Sequence, residues 1–176
     1  LALFEAIKDK LGAVNIIAED LGFMTDEVIA LREGTGYPGM NILQFAFDPK
    51  GDSEYLPHNQ IQNSVVYTGT HDNDTIVGWM AQKENKKALN FAKRYLRLTK
   101  KEGYHWGFIR GVWASPASTA IIPMQDLLGL DNTARMNIPS TIGGINWRWR
   151  MEKEDINETL SIKLKKLTKL YGRKGK

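Results

Sequence analysis

The feature that most constrains the fold is the step Val65-Val66-Tyr67-Thr68-Gly69-Thr70-His71-Asp72-Asn73-Asp74-Thr75. A β-branched and aromatic run of the kind that fills a buried strand stops at small residues, and imidazole, carboxylate and amide groups follow at once. In parallel α/β folds the ligand sits beyond the carboxyl ends of the strands, so a polar cluster at this place is where catalytic groups are expected. The competing reading is that Asp72 or Asp74 caps the helix starting near Thr75, since Asp and Asn are favoured there. Capping accounts for one such residue at a time, not for His71, Asp72 and Asn73 together.

The same pattern recurs along the chain. Leu3, Ile7 and Leu11 fall at helical spacing, with Gly12 as the stop. Val14 to Ala18 then reads as a short strand that delivers Glu19 and Asp20 at its carboxyl end. Thr25 is placed to cap a helix through Val28 and Leu31, which the glycines from Gly34 to Gly39 break. Asn41 to Phe47 is a third strand candidate ending in Asp48, and the polar stretch from Pro49 to Asn63 reads as a long loop on the side of the acids. After the strand leading to His71, helices are predicted over 76–81, over 86–99 with one apolar stripe, and over 104–117. In the last of these Trp106, Ile109, Val112 and Trp113 read as core. Ala120 to Asp126 is the fourth strand despite Pro123, followed by a loop to Arg150 and a helix from about Glu154 to Tyr171. Strands alternating with helices predict an α/β fold with a parallel sheet, and four strands are about half of a (β/α)8 barrel.

Composition narrows the function classes. The 176 residues are 42% hydrophobic, enough for one sizeable core. Seven of the 24 basic residues crowd between Lys163 and Lys176 with no acid among them, so the remainder is net acidic, 17 basic against 20 acidic residues. The high pI therefore belongs to the tail, read as a solvated helix face, and no basic surface for nucleic acid is expected. Without Cys there is neither a disulfide framework nor thiolate metal ligation. No apolar run reaches the ~20 residues that span a bilayer, and a cytoplasmic protein without membrane association is expected. His58 and His71 lack a second His at metal-ligand spacing, so no metal or other cofactor is expected.

Glu19 and Asp72 stand out because each ends a predicted strand. Strands of one barrel present their carboxyl ends to one pocket, so sequence-distant carboxylates can flank a single bond. Such carboxylates suit glycoside chemistry, where one acid protonates the leaving oxygen and another carboxylate stabilises an oxocarbenium-like state or forms the covalent intermediate. Acids at strand ends also serve as caps or magnesium ligands, so spacing alone leaves a hydrolase or enolase-like metal site open.

The literal strings are more specific. Ile17-Ala18-Glu19-Asp20-Leu21-Gly22, Pro38-Gly39-Met40 with Leu43-Gln44-Phe45-Ala46-Phe47, Tyr55-Leu56-Pro57-His58-Asn59, Tyr67 to Thr75 and Ala134-Arg135-Met136-Asn137 follow one another in order. Together they closely resemble the C-terminal part of the 4-α-glucanotransferase family, the amylomaltases or disproportionating enzymes. The resemblance covers nearly the whole chain, 1–176, as the C-terminal part of a single catalytic barrel. It implies an incomplete (β/α)8 TIM barrel and retaining transfer of α-1,4-glucan segments to the 4-hydroxyl of an acceptor sugar. The implied partners are α-1,4-glucans, maltooligosaccharides and the N-terminal part of the same enzyme.

Carried over by resemblance, Glu19 matches the general acid/base and Asp72 the carboxylate that stabilises the transition state. His71 matches a residue that hydrogen-bonds the sugar at the cleavage site, and Asn137 matches a glucan-contacting residue. Asp48 and Phe45 are candidates for the sugar groove; Trp147, Trp149 and Tyr55, by residue type, suit either stacking on glucose rings or packing of the barrel's end. The family's nucleophile is an aspartate on a strand before the acid/base strand, and no residue here matches it. The 176 residues alone are therefore expected to be inactive. Two alternatives stay open: an α-glucan hydrolase, since water attacks the same intermediate, and a non-catalytic glucan-binding half-barrel.

Overall fold

The structure, a computed structural model, describes residues 1–173. Among these residues seven α-helices surround a sheet of three parallel strands, β1 (Gly39–Ile42), β2 (Ser64–Tyr67) and β3 (Thr119–Ile121), in the order β1-β2-β3. Gly39 pairs with Ser64 and Ile42 with Tyr67, while Val65 pairs with Thr119 and Tyr67 with Ile121. The helices are α1 (Ala2–Leu11), α2 (Asp26–Thr35), α3 (Ile76–Ala81), α4 (Lys86–Tyr95), α5 (Tyr104–Trp113), α6 (Met124–Leu128) and α7 (Glu158–Leu170).

Three strands appear where four were expected, and each difference has a local cause. Val14 to Ala18 forms no strand. Its one backbone link to β1's neighbourhood is Ala18 N–H to the Pro38 carbonyl, at 2.9 Å. Proline has no N–H to return, and the next donor, Met40 N–H, is taken by the Asp20 carboxylate at 2.7 Å. A side chain thus replaces the ladder. Gly39 permits this approach, because a Cβ there would collide with the Asp20 carboxylate.

The run from Asn41 to Phe47 splits: β1 starts earlier and stops at Ile42, and Leu43–Ala46 closes into a 3-10 helix. Leu43, Gln44, Ala46 and Phe47 are buried while Phe45 is exposed, and a short, mostly apolar run of this kind fits either state. The fourth predicted strand ends at Ile121, and Pro123 instead caps α6, which carries Asp126. The helix over 76–81 is found as expected, but its cap is Thr75, whose hydroxyl oxygen accepts Gly78 N–H at 3.0 Å. Asp74 does not cap: its carboxylate takes Thr75 N–H and the Gln82 amide. The last helix begins at Glu158, where Asn157 accepts Leu160 N–H, and Ile156 lies outside it, exposed.

The core centres on Phe47. Its ring lies 5.5 to 6.2 Å from those of Trp79, Phe91, Tyr95 and Phe108, with the edge-to-face or tilted geometry that aromatic quadrupoles favour. Val66, Ile76, Ala92 and Val112 close around it with no exposed surface. As expected, Trp106, Ile109 and Val112 are buried, while Trp113 is partly covered and donates its indole N–H to Thr168.

The tail is more than a solvated face. Lys163 Nζ sits 3.7 Å from the centroid of the Trp106 ring. Arg173 donates to the carbonyls of Trp113, Ser115 and Ala117 at 2.7 to 2.9 Å, capping the C-terminal end of α5 with a positive charge. Lys174 and Lys176 lie outside the described residues. By contrast, α1 and α2 bury no residue, and Leu3, Leu11 and Phe23 are largely exposed. Among the described residues no helix is long and apolar enough to cross a membrane.

Candidate active site

The site begins where β2 ends. Tyr67 is the last residue of the strand, and the chain then closes a turn at Thr70 to Asn73. The Asn73 side chain accepts both the N–H and the hydroxyl of Thr70, at 2.8 and 2.9 Å, and Asp72 N–H reaches Thr70 Oγ1 at 3.3 Å. These are the Asx and hydroxyl turns that such side chains form with nearby backbone. Gly69 lets the turn press against Gln44, because a Cβ there would lie 2.6 Å from Gln44 Nε2. That amide donates to the Asp74 carbonyl at 2.7 Å, tying the end of β1 to the turn after β2.

The turn opens onto a cavity of about 580 Å³ beyond the carboxyl ends of β2 and β3. Glu19, Phe45, His71 and Asp72 all line it, with Tyr67, Asn73 and Ile121. Two carboxylates far apart in sequence thus face one space large enough for a sugar-sized ligand. The Tyr67 phenol has its pKa pushed above the usual value by burial and then by the negative charge of Glu19, so it stays a proton donor.

Asp72 is held from behind by the loop after α6. Its Oδ1 accepts the Asn137 amide at 2.6 Å and lies 3.3 Å from His71 Nε2. Asn137 N–H donates to the His71 carbonyl at 3.0 Å, so this residue touches both members of the His-Asp step. Trp147 lies over the His71 imidazole, ring centres 5.2 Å apart, in a left-handed conformation at φ 62°.

The other expected groove residues fall differently. Asp48 is exposed, is not among the lining residues, and its carboxylate accepts Lys50 N–H in a local turn. Tyr55 packs edge-on against Phe45 at 5.8 Å, while Trp149 lies beside Val77 and Gly129 in a separate depression. A further polar cavity of about 190 Å³ opens near Gly39 and Ser64, the N-terminal ends of β1 and β2. It contains Tyr55 and the Asp20–Arg32 pair but not Glu19, His71 or Asp72. Ligands of parallel sheets sit at the opposite ends of the strands, so the cavity with the two carboxylates is the candidate site.

Two residues that join this site went unread in the sequence. Arg135, in the loop segment Ala134 to Asn137, donates to the backbone carbonyl of Asp72. Asp126 is fully buried and accepts Ile76 N–H at 2.7 Å and the Thr68 hydroxyl, joining β2, α3 and α6 beneath the turn.

Comparison with known proteins identifies the family. The family model described as 4-alpha-glucanotransferase matches residues 1–157. The chain is 49% identical over 173 residues to a 4-alpha-glucanotransferase of Clostridium butyricum, covering 98% of this chain and 35% of that protein. It is 50% identical over 171 residues to one of Streptococcus pneumoniae, covering 97% of this chain and 34% of that protein. Amylomaltase from Streptococcus agalactiae, solved in complex with acarbose, superposes with a TM-score of 0.90 at 41% identity, over 98% of this chain and 35% of that one. The chain thus spans about a third of the length of these relatives. With most of its length matched by the family model, it belongs to the 4-alpha-glucanotransferase family.

Proposed function

We propose that these residues form the C-terminal part of a (β/α)8 barrel that transfers α-1,4-glucan segments with retention, Glu19 acting as acid/base and Asp72 as transition-state stabiliser. The observation that carries the reading is the shared cavity of Glu19, His71 and Asp72 at the carboxyl ends of parallel strands. Glu19 protonates the glycosidic oxygen of the donor as the bond to the anomeric carbon breaks. Asp72 stabilises the positive charge that develops on the sugar, and His71 donates to a hydroxyl of the same ring. A carboxylate nucleophile takes up the glycosyl group; Glu19, now ionised, then removes the proton from the 4-hydroxyl of an acceptor glucan, which displaces that carboxylate. Phe45 lines the groove, and Asn137 acts on it through the Asp72 carboxylate that it holds.

No residue of this chain matches the family's nucleophile, so turnover belongs to the complete enzyme and the 176 residues alone are inactive. The exposed apolar side chains of α1 and α2 and the outer edges of β1 and β3 are suited to packing against the other strands and helices of the barrel. In the complete enzyme, Asp72→Asn lowers conversion of maltotriose into glucose and longer glucans by about 100-fold or more. Near-normal turnover by this variant would remove Asp72 from the mechanism. Counting reducing ends in the parent separates transfer, which conserves their number, from hydrolysis, which raises it.

A further inference from the structure

Resting on the reading of Asp72 just given, we infer that Arg135 is a positioning residue that sets the angle at which Asp72 meets the substrate. Its guanidinium bridges two carbonyls: Nη2 donates to the Asp72 carbonyl at 2.5 Å and Nε to the Asn137 carbonyl at 2.8 Å. Asn137 in turn holds the Asp72 carboxylate and the His71 carbonyl. Arg135 therefore locks the backbone of Asp72 to the residue that orients its side chain. The three bonds close a cycle, the kind of network whose members strengthen one another.

Arg135 does not line the cavity that holds Glu19 and Asp72. It borders a smaller one of about 120 Å³ on the other side of the turn, with Thr70, Asn73 and Asp126. Its effect on a ligand among the carboxylates therefore passes through Asp72. The Asp72 side chain is 44% exposed, so packing alone does not fix it; the loop's hydrogen bonds do. Asp72 Oδ1 is occupied by Asn137, and among the described residues Oδ2 accepts no hydrogen bond, which leaves it for the sugar. A planar fork suits two carbonyls at fixed spacing, whereas a lysine ammonium reaches one of them well.

The test is a double-mutant cycle on maltotriose disproportionation in the complete enzyme. Arg135→Ala is expected to lower kcat by about 100-fold, the cost of misplacing a reacting group by about 1 Å, with KM within about 3-fold of the parent. Arg135→Lys, which keeps the charge and the stem, is expected to lose about 10-fold. In an Asp72→Asn background, Arg135→Ala is expected to cost no more than about 3-fold, because the group it positions has already lost its charge. The full 100-fold loss in that background would overturn the inference, since Arg135 would then act on something other than Asp72. So would parental kcat in Arg135→Ala or Arg135→Lys while Asp72→Asn is impaired, an outcome that leaves the role of Asp72 standing. Parental activity in Asp72→Asn itself overturns both.

Discussion

Glu19→Gln in the complete enzyme is expected to abolish most glucan transfer, lowering turnover of maltotriose by about 10²- to 10⁴-fold, the range that a positioned acid/base contributes. The amide matches the carboxyl in shape but has no proton to give to the glycosidic oxygen and no basic oxygen to receive one from the acceptor. Glu19 is exposed and makes no hydrogen bond among the described residues, so the substitution removes chemistry without removing support. The melting temperature should stay with the parent, and KM for maltotriose should change little. Because the first step needs an acid and the second a base, both formation and capture of the glycosyl-enzyme should slow. Turnover equal to the parent would end the acid/base assignment.

The second large effect is on stability. Asp126 is 1% exposed, and burial pushes its carboxyl up to about 6, against the opposing bonds from Ile76 N–H and the Thr68 hydroxyl. Asp126→Ala strips both donors of their acceptor inside the protein. The expected cost is roughly 3 kcal/mol, or a melting temperature lower by about 10 °C. A melt within about 2 °C of the parent would show that these donors find other partners. Asp126→Asn should behave differently, because its oxygen still accepts Ile76 N–H while its amide donates to Thr68 Oγ1.

The pH dependence separates the two variants further. The folded-state pKa lies above the unfolded value near 3.8, so between about pH 4 and 6 the folded state keeps a proton that the unfolded chain has released. Asp126 therefore makes stability fall as pH rises through that window, by up to roughly 3 kcal/mol, and adds no slope above it. Asp126→Asn should flatten this part of the curve and equal or exceed the parent above pH 6. An Asn variant as damaged as the Ala variant would contradict that origin of the shift.

Local pattern was enough to place α1, α3, α4 and α5, because their apolar residues repeat at the helical period, although α4 and α5 stop at Tyr95 and Trp113, short of the predicted ends at 99 and 117. It was enough for β2, where β-branched residues precede a turn of Thr, Gly, Asp and Asn. It failed where long-range partners decide. Val14 to Ala18 has the composition of a strand, but what replaces its ladder is Asp20 bonding Met40, which no window around residue 16 contains. Leu43 to Ala46 is apolar enough for a strand, yet its 3-10 turn is held by Thr68 and Asp74, from the turn beyond another strand.

The site shows the same division. The strand-end position of His71 and Asp72 is legible from residue order alone. Arg135 and Asp126 are not, because their work is done on residues 50 to 63 positions away. Asp126 falls within the predicted fourth strand, and Pro123 is the signal that the strand stops before it. For Arg135 the signal was a charged residue within a loop string already rich in ligand-type side chains.

The most direct measurement is a crystal structure of the complete enzyme carrying Glu19→Gln, soaked with maltooligosaccharide so that the unreacted glucan stays in place. Sugar rings should run through the cavity bounded by Phe45, His71 and Asp72, with a glycosidic oxygen within hydrogen-bonding distance of the residue 19 side chain and Asp72 beside the ring on its donor side. Density that occupies instead the cavity by Asp20 and Arg32, or that leaves residues 19 and 72 on no common sugar, would contradict the account.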